Sequence, residues 1–102
     1  MSAVLKALVE PRRREILRLV WSKERAAGEI AERVDVTFSA VSQHLTVLRL
    51  AGLVEVRREG RRRLYRARRD RLDPSLSAWL QASWRTKLDD LKRLAEEEEA
   101  RA

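Results

Sequence analysis

The chain contains no cysteine, which excludes disulfides, thiolate redox chemistry and thiolate metal sites together. Its one histidine, His44, builds no metal site alone, since soft metals need sulfur and borderline ones favour several imidazoles. Only three glycines occur, and they form no phosphate-cradling loop. No nucleophile has a base at a spacing that suggests catalysis, so an enzyme is not expected. Neither a metal nor another cofactor is expected. Long apolar runs are missing too. The start MSAVLKALVE is too short to span a bilayer, and its charges follow it as PRRR where a secretory signal has them in front. A soluble cytoplasmic protein without membrane contact is the expectation.

Charge is what the chain has in plenty. It carries 23 Lys and Arg against 16 Asp and Glu, a formal net charge of +7, which puts an anionic partner first. The excess is local: nine arginines fall between Arg57 and Arg71, against only Glu59 and Asp70. Every base there is arginine, the side chain suited to forked contacts with phosphate and guanine. Residues 72–102, by contrast, are slightly acidic. At 102 residues the chain reads as a single domain, 1–102, with a core that is adequate without being generous.

Apolar spacing predicts helices along most of the chain. Val4, Leu5 and Leu8 mark the first. Pro11 suits the first turn of a second, where its missing amide costs nothing. In that helix Ile16, Leu17 and Val20 form the apolar stripe, with Trp21 beside it, and Arg12, Arg13, Arg14 and Arg18 populate the remaining surface. Ala27, Ile30, Ala31 and Val34 mark a short third helix.

Thr37 is then a plausible N-cap for a fourth helix, and Gly52 stands where a left-handed C-terminal cap is needed. The stretch SAVSQHLTVL, residues 39–48, sorts into two faces. Val41, His44, Leu45 and Leu48 form a stripe to bury. Ser39, Ser42, Gln43 and Thr46 form a face of short hydroxyls and an amide in a chain otherwise crowded with charge. Short helix, turn, capped helix is a helix-turn-helix pattern. Side chains of this kind allow close approach to the major groove and exchange hydrogen bonds with base edges, where glutamate would be repelled by phosphate.

The following LVEVRREGRRRLYRARR reads as a hairpin turning at Glu59-Gly60, with Gly60 supplying positive φ. Val54, Val56, Leu64 and Tyr65 anchor it near the core, and arginines crowd its turn. A basic hairpin behind such a helix is placed to hold phosphates or the adjacent minor groove. From Pro74 onward Leu76, Trp79, Leu80, Trp84, Leu88, Leu91 and Leu94 form a long helical stripe without a partner in the chain. A second copy of the chain is the natural cover for it, and the lightly anchored first helix would join that interface. The closing EEEEA is expected to fray, because acids at a helix C-terminus oppose the macrodipole.

The segments PRRREIL, AGEIAERV and FSAVSQHLTVLRLAGLVEVRREGRRRLYR resemble the ArsR/SmtB family of bacterial winged-helix transcriptional repressors, over roughly residues 4–70. The resemblance implies a mainly α fold with a small β-hairpin: a winged helix-turn-helix with N- and C-terminal dimerisation helices. It also implies a homodimer on double-stranded operator DNA. The DNA-binding core would be 4–70 with a wing at 53–68, and the dimerisation helix 74–98. The expected DNA-binding residues are Thr37, Ser39, Ser42, Gln43, His44 and Thr46 on the recognition helix, with Arg57, Arg58, Arg61, Arg62 and Arg63 on the wing. The dimer interface would use Val4, Leu5, Leu8, Leu76, Trp79, Leu80, Trp84, Leu88 and Leu91. Many family members release DNA when metal binds a Cys-x-Cys pair; here Ala26 and Gly28 stand at those places. Others use Asp and His on the C-terminal helices, and this C-terminal helix has no His.

Competing readings stand beside these. His44 is packed or in contact with phosphate, or else serves as a pH switch or in metal binding. Trp79 and Trp84 belong to a dimer core or line a small apolar ligand's pocket. Asp89 and Asp90 form an exposed face or offer hard-metal ligands. A protein-interaction module, whose C-terminal helix docks a separate sensor or other effector protein, is the alternative to a DNA-binding regulator.

Overall fold

A computed structural model describes residues 2–101, with the backbone alone for residues 86–89. It divides into two compact units, one ending at Leu72 and one beginning at Asp73. The first holds helices α1 (Ala3–Val9), α2 (Pro11–Leu19), α3 (Ala27–Arg33) and α4 (Phe38–Leu50), with strands β1 (Arg25–Ala26), β2 (Val54–Glu59) and β3 (Arg62–Ala67) and a 3-10 turn at Arg69–Arg71. The architecture is the expected mainly helical winged helix-turn-helix, with a three-stranded antiparallel sheet in the order β1-β3-β2. β1 is an addition to the expected hairpin: Arg25 pairs with Tyr65 and Ala26 with Leu64. Two residues are too few to show a strand period in sequence.

Local chemistry fixes the helix ends. The Ser2 side chain accepts from the Leu5 amide, Glu10 from Arg12 and Thr37 from Ala40, each satisfying an amide that has no partner inside its helix. Pro11 opens α2. At the end of α4, Leu53 N–H donates to the Leu48 carbonyl and Gly52 N–H to that of Arg49, a Schellman closure with Gly52 at φ 79°. Gly60, at φ 62°, takes the first of the two loop positions between β2 and β3, where a primed hairpin turn favours glycine.

Arg13 and Arg14 differ from the expectation of free surface charge. Arg13 Nε donates to the Ala7 carbonyl at 2.7 Å, and Arg14 Nη1 to that of Leu8 at 2.7 Å. They close the C-terminus of α1, whose last carbonyls lack partners of their own.

Ile16, Leu17, Val20, Ile30, Val41, Leu45, Leu48 and Leu53 are fully buried and form the centre of the first unit. This core sets α4 against α2 and α3 and ties it to β2. Val54 and Leu64 are buried as expected, but Val56 is exposed. It borders the groove that Arg49 of α4 also lines.

The second unit is the helix α5 (Pro74–Arg101), 28 residues long. The Asp73 carboxylate accepts from the Leu76 amide, and Pro74 follows as the first helical residue. The helix runs through the acidic stretch where fraying was expected. Glu, Ala, Leu, Lys and Arg are all strong helix formers, and Arg101 in the last turn complements the dipole. Among the described residues no helix is long and apolar enough to cross a membrane.

Candidate nucleic-acid interface

The buried stripe of α4 turns its opposite face outward. Ser39, Gln43 and Thr46 are exposed, Ser42 is half-buried, and Thr37 stands exposed at the N-cap. No acidic residue occurs between Phe38 and Leu50. The face therefore offers hydrogen-bonding groups without charge repulsion toward an anionic polymer. Thr46 Oγ1 donates to the Ser42 carbonyl at 2.9 Å, so its proton is committed within the helix while its oxygen and methyl remain outward. His44 is half-buried between the two faces.

Two further residues on this helix escaped the sequence reading. Phe38, at the first position of α4, is 58% exposed. Arg49 is exposed near the last turn and extends the series Ser39, Ser42, Thr46 by the same helical spacing. That spacing was the signal for Arg49. For Phe38 there was none, because an aromatic at a helix start reads as core.

The hairpin separates its arginines by face. Side chains alternate along a strand, and directly paired residues share a face. The register pairs Glu55 with Arg66, Arg57 with Leu64 and Glu59 with Arg62, which places these six on one face. Carboxylates on that face come both from outside the hairpin and from its own Glu59. Arg57 Nε donates to Glu24 Oε2 at 2.6 Å, and its Nη2 donates to Glu59 Oε2 at 3.0 Å. Arg62 Nη2 donates to Glu29 Oε1, on α3, at 2.8 Å. The hydrogen bond from Arg57 holds the Glu24 carboxyl below the usual carboxylate range and raises the guanidinium's own pKa.

The other face carries Val56, Arg58, Arg63 and Tyr65. Together with Arg49 and Arg57 they line a groove of about 380 Å³ between the end of α4 and the hairpin. Among the described residues Arg49, Arg58, Arg61 and Arg63 have no carboxylate partner. Further along, Arg69 stacks over the Trp21 ring at 5.5 Å, and Arg68 meets Asp70 and Glu55. The nine-arginine segment thus contains both engaged and free cations.

Among the described residues no three His, Asp or Glu side chains are grouped to hold an ion, and the chain has no thiolate. Asp90 pairs with Arg93; Asp89 lies outside the described side chains.

The residues expected at a dimer interface differ in exposure. Leu5 is 45% and Trp79 53% exposed, while Leu8 and Leu80 are buried. Val4, Leu76 and Trp84 are half-buried, Leu91 is 65% exposed, and Leu88 lies outside the described side chains.

Residues 10–56 match the family described as bacterial regulatory protein, arsR family. The chain is 40% identical over 62 residues to the transcriptional activator HlyU of Vibrio cholerae, a match covering 61% of this chain and 57% of that protein. It therefore spans less than two thirds of that relative. It is 37% identical over 60 residues to the transcriptional repressor SdpR of Bacillus subtilis, covering 59% of this chain and 67% of the repressor. Among solved structures, reduced HlyU from Vibrio cholerae aligns with a TM-score of 0.68 at 32% identity, covering 82% of this chain and 84% of that one. A homodimeric winged helix-turn-helix DNA-binding domain from Mycobacterium bovis, solved in solution, aligns with a TM-score of 0.65 at 36% identity, covering 86% and 77%.

Proposed function

Because the chain belongs to the arsR family of bacterial regulatory proteins, we propose that it is a homodimeric, sequence-specific DNA-binding transcription regulator that represses from a near-palindromic operator. The observation that carries this reading is the outward, acid-free polar face of α4 set beside an arginine-bearing hairpin. The helix enters the major groove, where Ser39, Ser42, Gln43 and Thr46 read base edges. Thr37 and His44 stand at the border of that contact, and the wing holds the backbone. Two recognition helices related by a dimer axis engage half-sites about 34–36 Å apart.

Repression follows SdpR; HlyU is named an activator. The homodimer is supported by the homodimeric Mycobacterium bovis domain and by the exposed Leu5, Trp79 and Leu91, which are apolar surface a partner copy would cover. The chain is a single regulatory domain that acts in the cytoplasm, and its signal does not come through the family's familiar thiolate or His-containing metal sites.

Selection of bound duplexes from a random DNA pool, followed by titration of the winner against scrambled sequence at fixed salt, tests the proposal. An inverted repeat preferred by about 10³-fold or more is the expected result. Gln43→Ala relaxes that preference by about 1–3 kcal/mol. A flat pool overturns sequence specificity and moves attention to a protein partner docked on α5.

A further inference from the structure

The proposed wing is not a uniform basic surface, and its two faces have different electrostatic situations. On one, the guanidiniums of Arg57 and Arg62 are held by Glu24 and Glu29, each 33 positions away in sequence. Glu29 is itself placed: it lies 3.9 Å from Arg25 Nη1, and Arg25 Nε donates to the Leu19 carbonyl at 2.7 Å. The chain of contacts runs from the hairpin through α3 and β1 to the end of α2. On the other face, Arg49, Arg58 and Arg63 surround one groove with Tyr65 and no acidic residue. Arg57 also borders that groove, but its guanidinium is bound by Glu24 and Glu59.

A phosphate diester needs cations that are not already neutralised. Transferring Arg57 or Arg62 to phosphate breaks a short charge-assisted hydrogen bond and leaves a carboxylate facing the polyanion. Arg49, Arg58 and Arg63 meet neither cost. We propose that these three form the site for a DNA backbone phosphate, and that Arg57 and Arg62 are positioning residues that tether the wing through Glu24 and Glu29. This rests on the DNA-binding reading above and assigns its electrostatic work to particular side chains. The site joins the end of the recognition helix to the wing, so one phosphate sets the register between base reading and backbone grip.

The test is the salt dependence of binding, measured with the full chain on the selected operator and on a random duplex of equal length. Each phosphate contact contributes about −0.9 to the slope of log K against log salt. The triple variant Arg49→Gln, Arg58→Gln, Arg63→Gln flattens the slope by about that amount on both duplexes, and each single variant flattens it by a part of it. Arg57→Gln and Arg62→Gln leave the slope on random DNA unchanged and weaken operator binding about two- to fivefold, the size of an exposed ion pair. Glu24→Gln has the same effect as Arg57→Gln, and the double variant is no worse than either.

Circular dichroism confirms that each variant is folded. If Arg57→Gln and Arg62→Gln flatten the slope while the groove variants do not, the assignment is overturned with the DNA reading intact. If Glu24→Gln tightens both duplexes alike, the carboxylates merely compete with DNA and the tether is wrong. A wild-type chain that binds neither duplex overturns the DNA-binding reading itself.

Discussion

Arg13 reaches from α2 to the Ala7 carbonyl at 2.7 Å, so the C-terminus of α1 is closed by a guanidinium six residues further along the chain. Arg14 does the same for Leu8. Two of the consecutive arginines in PRRR thereby serve the fold, although in sequence they are indistinguishable from cations available to a polyanion.

Arg13→Ala leaves carbonyls at the end of α1 without their partner. A hydrogen bond to a charged group contributes about 1.5–3 kcal/mol, and the half-exposed setting points to the lower end of that range. Urea denaturation should show the loss, while the salt slope of DNA binding stays at the wild-type value. A flattened slope with unchanged stability would return Arg13 to the DNA-contacting set.

The hydrogen bond from Arg57 holds the Glu24 carboxyl below its ordinary value of 4.5. A carboxylate lowered on folding adds stability that is present above its unfolded pKa and lost as pH falls through the folded one. The tether is therefore intact at neutral pH and is released only on acidification below about 4.5. In Arg57→Gln the Glu24 midpoint, followed by carboxyl NMR, moves back up toward 4.5. An unmoved midpoint would remove Arg57 as the cause.

Glycine substitutions should have opposite signs at two positions. A Cβ at Gly28 meets nothing within 4 Å and the backbone there is helical, so Gly28→Ala stabilises by about 0.5–1 kcal/mol. Gly52 has the same open space but φ 79°, so Gly52→Ala costs about 1–2 kcal/mol in strain alone. Thermal unfolding of the two variants checks both signs. Equal effects would mean that the left-handed cap at Gly52 is not formed.

Stoichiometric Zn(II), Ni(II) or As(III) should leave the DNA complex intact, because the chain has no thiolate and one imidazole. A tight calorimetric isotherm accompanied by loss of DNA binding would contradict this.

Much of the fold was legible because its signals are local. The stripe Val41, Leu45, Leu48 follows from helical spacing, and the roles of Thr37, Pro11, Gly52 and Gly60 follow from capping and from positive φ. The polar face of the recognition helix was equally legible, being the complement of its buried stripe. β1 was not, since two residues carry no period. Val56 was misplaced because alternation says which face a residue takes, not how far the core extends beneath it.

The arginines mark the division most clearly. Composition and spacing alone show a cluster of cations and the kind of partner such a cluster suits. Which of them are free was decided by tertiary structure: Arg13 and Arg14 close a helix, Arg57 and Arg62 meet carboxylates 33 positions away, and Arg49 joins Arg58 and Arg63 at one groove. Charge is a property of a residue and can be read one position at a time, whereas its neutralisation depends on a contact a few ångströms long that exists only once the chain has folded.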